Sequence, residues 1–298
     1  MSGLGVAIRM RVLLTGSSGR VGRAIYGALV PGHEVIGLDR HPFSTTRLVG
    51  DFCDADCLRR ALIGVDAVIH TAALHAPHVG HLADREFVRI NVDGVQRLLD
   101  LALQAGVRCL IFTSTTAVYG YAIQRGACTW VDETTVPQPR TIYHRSKLQA
   151  EAMLESAAGP GLTVRVIRMS RCFPEPVDRM AVYRLHRGID LRDVAAAHLA
   201  ALQADGADFQ RYIASGATPF QALDLPALSA DPAGVILQRQ PDLLQAFAQR
   251  GWPLRPRIDR VYDASAIERD LGWRSRHGWQ AVLAHYDQGS IEVLPFRR

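Results

Sequence analysis

Tyr143 and Lys147 stand four residues apart in Tyr143-His144-Arg145-Ser146-Lys147, and on a helix that spacing projects both from one face. A phenol with a pKa of about 10 is a poor base at neutral pH. A neighbouring ammonium favours the phenolate, and a depression of ~3 units corresponds to ~4 kcal/mol. Such a tyrosine can take a proton from an alcohol or return one to a carbonyl oxygen. The reacting oxygen needs a hydroxyl to hold it, and Ser114-Thr115-Thr116 supplies candidates. Of the 34 lysines plus arginines, 33 are arginine and the single lysine is Lys147. Lysine is a compact charge on a flexible stem, whereas arginine is a planar fork that stays protonated. Its location argues for chemistry, not for surface charge.

Gly16-Ser17-Ser18-Gly19-Arg20-Val21-Gly22 lies between an apolar run at Arg11–Thr15 and an apolar-periodic stretch reaching residue 30. Glycines so spaced permit a tight turn and let the backbone approach a pyrophosphate, while the following helix start offers free N–H groups and a positive dipole end. Gly16, Ser18, Gly19, Arg20, Val21 and Gly22 are therefore expected to bind a dinucleotide. Asp39 ends the second apolar run about 20 residues on, where a carboxylate accepts the adenosine ribose hydroxyls. An acid there repels a 2′-phosphate and favours NAD; Arg40 beside it can pair with that phosphate and leaves NADP open. The nicotinamide would exchange hydride with a substrate carbon while Tyr143 handles the proton.

These residues need a frame. Short apolar runs near residues 11–15, 34–39, 48–52, 66–70, 109–113 and 163–168 alternate with helical patterns near 20–30, 54 onward, 84–104 and 143–157. Strands that are apolar throughout and alternate with helices indicate a parallel sheet covered on both faces. The expected fold is α/β, a doubly wound parallel Rossmann sheet over residues 1–170. Residues 171–298 are expected to form mainly a smaller substrate-binding cap over the carboxyl edge of the sheet, with a helix at 190–204 packing back on the first domain. In the second half Pro174 and Pro176 break the rhythm, a strand is expected at 211–214, proline content rises over 218–256, and helices are expected near 242–250, 265–271 and 277–287. Met10 directly precedes the first strand, so residues 1–9 read as an extension or a mis-assigned start.

Composition narrows the classes. No apolar run approaches the ~20 residues of a membrane helix, and the first residues lack the charged start of a secretory signal. Five scattered cysteines without a Cys-x-x-Cys pair suit a reducing cytoplasm. The net charge of +5 is spread among acids and forms no tract, which argues against nucleic acid. His75, His78 and His81 follow the fourth run on a loop expected to face substrate. Imidazoles bind zinc, but no carboxylate or thiol completes a set, so they read as polar pocket residues and no metal is expected.

Taken together, the chain resembles an extended short-chain dehydrogenase/reductase of the NAD-dependent epimerase/dehydratase family. The motifs Thr15-Gly16-x-x-Gly19-x-x-Gly22, His70-Thr71-Ala72-Ala73, Asn91-Val92-Asp93-Gly94, Ser114-Thr115-x-x-Val118-Tyr119-Gly120, Tyr143-x-x-x-Lys147 and Arg192-Asp193-Val194-Ala195 occur in family order, followed by Tyr262-Asp263-x-Ser265 and Leu271-Gly272-Trp273. The resemblance implies Tyr143 as acid/base, Lys147 as its pKa modulator and ribose ligand, and Thr115 as donor to the substrate oxygen, a place more often held by serine. It also implies Asp51 and Phe52 near the adenine, Thr71, Ala72 and Ala73 lining the cofactor with Thr113 and Ser114, and Asn91 in support. A homodimer through the helices near 84–104 and 143–158 is implied as well.

Nucleotide-sugar enzymes of the family usually insert a long segment after the sixth strand, whereas only residues 177–189 stand here. Cys172-x-Pro174-Glu175-Pro176 with Arg179-Met180 resembles the uronate dehydrogenase corner, in which Arg179 would grip a substrate carboxylate. An arginine fork suits that task; a solvated loop charge is the other reading. His75, Thr115, Thr116, Arg171 and Arg179 are the expected substrate residues. The expected partner is a small sugar-like molecule, acidic or neutral. A nucleotide-sugar epimerase or dehydratase is the alternative, and a non-catalytic NAD(P)-sensing protein is the second.

Overall fold

In a computed structural model, the structure describes residues 9–254 and 257–296. The expected N-terminal extension therefore lies outside the described residues up to residue 8. Strands β1 (Arg11–Thr15), β2 (Glu34–Asp39), β3 (Leu48–Val49), β4 (Ala67–His70), β5 (Cys109–Thr115), β7 (Thr163–Met169) and β8 (Phe209–Ala214) form one seven-stranded parallel sheet in the order β3-β2-β1-β4-β5-β7-β8. β6 (Thr129–Val131) pairs separately with β9 (Arg260–Tyr262), also in parallel. The doubly wound α/β expectation holds.

The strand order reverses between β1 and β4, and in an open parallel sheet ligands bind outside the carboxyl ends at such a point. β1 pairs with β2 on one side and with β4 on the other, with Thr15 level with both Leu38 and His70. Val12, Leu13 and Leu14 are fully buried, as a central strand covered on both faces requires.

The chain divides into two compact units. The first comprises the chain to Ser114, Thr141–Ile167 and Val194–Arg211; the second comprises Thr115–Arg140, Arg168–Asp193 and the chain from Tyr212. The second unit has its own core, in which Met180, Phe220, Leu243, Phe247, Val261 and Val282 take part. Helices there begin on proline: Leu225–Ala230 has Pro226 in its first turn, and Pro232–Arg239 and Pro241–Gln249 start with it. Proline lacks an N–H that a first turn would leave unbonded anyway. The short connection after β7 is itself helical at Val177–Tyr183, with Val177, Met180, Ala181 and Val182 buried. No helix among the described residues is long and apolar enough to cross a membrane.

Candidate active site and family

At the exit of β1, Gly16 has φ +73°, a left-handed conformation that favours glycine. Space also demands it: a Cβ there would collide with Thr71 Oγ1 and Ala72 N at the exit of β4. Thr71 Oγ1 donates to Thr15 O at 2.7 Å, tying the two exits across the reversal point. A Cβ on Gly22 would overlap the Gly16 carbonyl oxygen, so the helix Arg20–Leu29 packs directly on the loop. That helix has no side-chain cap at Gly19 and no acid in its first turn. The first turn at Arg20, Val21 and Gly22 presents donors and positive dipole to the loop, while Gly19 N donates to Gly16 O at 3.1 Å and closes the turn. This cradle fits a pyrophosphate.

Asp39 closes β2 beside the loop. Its Oδ2 accepts from Ser18 N at 3.1 Å and its Oδ1 from His41 N at 3.0 Å. Burial raises its pKa, but the bonds from His41 and Ser18 outweigh that and hold the carboxyl below its ordinary range. Arg40 is exposed. Asp51 accepts from Cys53 N at 2.8 Å, and Phe52 is buried edge-on against His70 at 4.9 Å. Ala72 and Ala73 are half-buried after β4.

Helix Ile142–Ala157 is started by Thr141, whose side chain accepts from His144 N. It carries Tyr143 and Lys147, which are 8 % and 3 % exposed. Lys147 Nζ donates to Thr113 O at 2.7 Å and lies 3.9 Å from the centroid of the Phe112 ring. Burial drives its pKa from the usual lysine range down to about 7, with Glu151 opposing. Asn91 steadies the same helix from a π-helical turn, Arg89–Asp93, set inside the expected 84–104 helix. Its amide exchanges two 2.8 Å bonds with the Leu74 backbone and donates to Ser146 Oγ at 3.1 Å. Ser146 in turn donates to Tyr143 O.

The hydroxyls expected at the end of β5 have separate duties. His198 Nδ1 lies 2.8 Å from Val194 O, a pure acceptor, so Nδ1 donates and the neutral ring takes Thr113 Oγ1–H on Nε2 at 2.8 Å. Burial pushes His198 down to about 4, which keeps it neutral. Ser114 Oγ donates to Glu151, a partner the sequence reading missed although Glu151 stands one turn past Lys147. His75 N donates to His78 Nδ1 at 3.1 Å, and burial is the main cause lowering its own pKa. Among the described residues no group of three or more His, Cys, Asp or Glu is placed to hold a metal.

Within the second unit, Thr115 Oγ1 accepts from Ala117 N at 3.1 Å, a bond that uses a lone pair and not the hydroxyl proton. Thr116 is buried and its carbonyl accepts from Tyr262 OH. Arg171 bonds Glu175, and exposed Arg179 lies 3.7 Å from the same carboxylate. Two other basic residues of the 177–189 segment turn inward. Arg184 pairs with Asp190 at 3.2 Å, both nearly water-free, and His186 Nδ1 donates to Arg260 O. Asp193, from the Arg-Asp-Val-Ala motif, accepts from Ser275, Arg276 and His277, so it latches the tail.

Known proteins resemble this chain at both levels. An NAD-dependent glucose-6-phosphate dehydrogenase of Haloferax volcanii is 33 % identical over 161 residues, 48 % of this chain and 60 % of that enzyme. The chain spans about half the length of the curated relatives it matches. A short-chain dehydrogenase/reductase superfamily protein from Agrobacterium tumefaciens, solved with bound NAD, superposes with a TM-score of 0.72 at 21 % identity, covering 93 % of this chain and 96 % of that one. A mutated uronate dehydrogenase gives a TM-score of 0.67 at 18 % identity over 97 % and 89 % of the two chains. At these identities the superpositions establish the fold. The sequence profile of the NAD dependent epimerase/dehydratase family matches residues 12–179, more than half of the chain, and the protein belongs to that family.

Proposed function

We propose that the protein is an NAD-dependent oxidoreductase acting on a hydroxyl or carbonyl carbon of a small, sugar-like substrate. The observation that carries this reading is Lys147, buried and fixed on the Thr113 carbonyl at the carboxyl end of β5, one helical turn from Tyr143. A buried cation with a strongly lowered pKa beside a titratable phenol is a mark of acid–base chemistry.

The loop from Gly16 to Gly22 and the Asp39 carboxylate would hold the dinucleotide, with Asp51, Phe52, Thr71, Ala72 and Ala73 along its length. When bound, its nicotinamide supplies the hydride donor or acceptor. Tyr143 moves the proton to or from the substrate oxygen, and the Lys147 ammonium stabilises the phenolate formed. Asn91 and Ser146 keep the first turn of the helix in place, and Thr115, next after Ser114 on β5, is the hydroxyl assigned to hold the reacting oxygen. Arg171 and Arg179 share one carboxylate, so one positive charge remains, which suits a substrate bearing one anionic group. The short helical segment Val177–Tyr183 buries its apolar side, and Arg184 and His186 are spent on structure. Little of it is left to hold two phosphates, which supports a substrate without a nucleotide.

None of the five cysteines is in a disulfide, which suits a reducing cytoplasm. A homodimer through Gly94–Gln104 and Ile142–Ala157 is part of the same reading: a shallow groove lined by Leu99, Leu103, Ala152 and Met153 runs between these helices, and sedimentation tests it. The decisive experiment is a panel of free sugars, sugar acids and nucleotide sugars with NAD and NADP, followed by absorbance of the reduced nicotinamide. Saturable turnover of a free sugar or sugar acid is expected. Turnover of a UDP- or dTDP-sugar alone would restore the nucleotide-sugar epimerase or dehydratase reading.

A further inference from the structure

Glu151 lies one turn beyond Lys147 on helix Ile142–Ala157, on the same face, and is 1 % exposed. A carboxylate so far from water needs partners. Ser114 Oγ donates to Oε1 from β5, and Arg211 approaches Oε2 at 3.1 Å from β8 while also meeting Glu155 at 2.8 Å. Ser114 follows Thr113, whose carbonyl receives Lys147 Nζ. Lysine and glutamate thus grip consecutive residues of one strand from consecutive turns of one helix.

We propose that Glu151 is the positioning residue of Lys147, fixing the helix against β5 at the lysine and supplying the negative charge that keeps the ammonium protonated. The proposal rests on the reading of Tyr143 and Lys147 as the acid–base pair. In a site with so little water an ammonium is costly unless a counter-charge stands near. Glu151 supplies that charge, and its own burial is offset by Ser114 and Arg211. Without it Lys147 gives up its proton more readily, and a Tyr143 phenolate loses its stabilising neighbour.

The other groups facing this pair are few. Tyr143 and Glu155 share the helix, His70 lies on β4, His75 follows it, Arg211 lies on β8, and His198 reaches Thr113. Burial drives His70 to about 3 and His198 to about 4, so neither titrates near neutrality.

The chain has one lysine, so selective 13C-lysine labelling yields a single Cε resonance that reports Lys147 without any turnover. The wild-type signal should titrate near 7. In Glu151→Gln the midpoint should fall by about one pH unit, and the matching limb of kcat/KM should move the same way. Glu151→Asp retains the charge at shorter reach and should restore most of the shift; it also carries the test if the glutamine variant does not fold. An unmoved lysine midpoint in a folded variant overturns the proposal whatever the activity. A lowered midpoint in a protein that turns over no member of the sugar panel upholds the positioning role and overturns the proposed function instead.

Discussion

Charged groups are held differently around the ends of β1, β2 and β5 than in the segment after β7. In the first region the two groups assigned to the site rest on backbone: Lys147 on the Thr113 carbonyl, Asp39 on the Ser18 and His41 amides. Glu151 stands behind the lysine on Ser114 and Arg211. In the second region charged groups are many and rest on one another: Asp190 between Arg184 and Arg192, Asp259 between Arg187 and Arg260. A charge satisfied by peptide groups keeps its net charge and remains available to a ligand. A charge answered by an opposite charge is already neutralised and serves the fold. Changes at Lys147 or Asp39 should therefore remove function and spare stability, while changes at the paired Asp190 or Asp259 should do the reverse.

The largest expected effect is on turnover. Tyr143→Phe deletes the proton carrier without touching the glycine loop or Asp39. Turnover should fall ~10²–10⁴-fold while NAD affinity, measured by calorimetry, stays near the wild-type value. A variant that keeps more than a tenth of wild-type kcat removes Tyr143 from the chemistry and with it the first half of the comparison.

Asp190→Asn probes the other half. Arg184 is 3 % exposed, and its pKa is lowered chiefly by burial, which Asp190 opposes. Taking one partner from a buried pair leaves an uncompensated charge and costs about 3–5 kcal/mol, so urea unfolding should shift strongly. The folded fraction should turn over at the wild-type rate within about a factor of two. Unchanged stability would show that the mutual pairing of charges in this segment does not support the fold.

The same contrast accounts for what was legible in the sequence. The glycine spacing, Asp39, Tyr143 and Lys147 were readable because each is tied to a local geometric need, a turn, a strand end or a helical face. In the second half the strand near 211–214 and the helices near 242–250, 265–271 and 277–287 are found, but other helices were missed. Pro241 opens the helix expected from residue 242, whereas the helices with Pro226 and Pro232 in their first turns lie in a stretch read only as proline-rich. Proline stops a helix from within and starts one from its first turn. The helix Val177–Tyr183 follows Pro176 in the same way. The partners of Ser114 and Thr113 were not legible because Glu151 and His198 are 37 and 85 residues away in sequence. Glu151 alone left a local trace, its fourth place after Lys147.

A third test concerns stability and pH. Lys147 titrates near 7 in the folded protein and near 10.4 in an unfolded chain. Between those values the unfolded chain holds a proton that the folded one has released, so wild-type stability should climb with pH by up to about 1.4 kcal/mol per unit. Below about 7 the burial of the charged amine weighs fully on the fold. Lys147→Met lacks that slope, and its stability relative to wild type should be highest at low pH. Parallel wild-type and variant curves from pH 6 to 9 would show that Lys147 is as well solvated as a surface lysine.

The smallest effect is on cofactor choice. Asp39 is ionised at neutral pH, because the bonds from His41 and Ser18 more than offset the effect of its burial. An ionised carboxylate at the end of β2 accepts from ribose hydroxyls and repels a 2′-phosphate, so kcat/KM should favour NAD over NADP. Asp39→Ala removes the repulsion together with the acceptor, and the preference should narrow by about tenfold, the scale of one like-charge contact in a partly solvated site. Unfolding of the variant should remain close to wild type, since the lost partners are two amides near solvent. Exposed Arg40 is the competing influence. A wild-type protein that prefers NADP would mean that this guanidinium, not the carboxylate held by the backbone, sets the charge the cofactor meets.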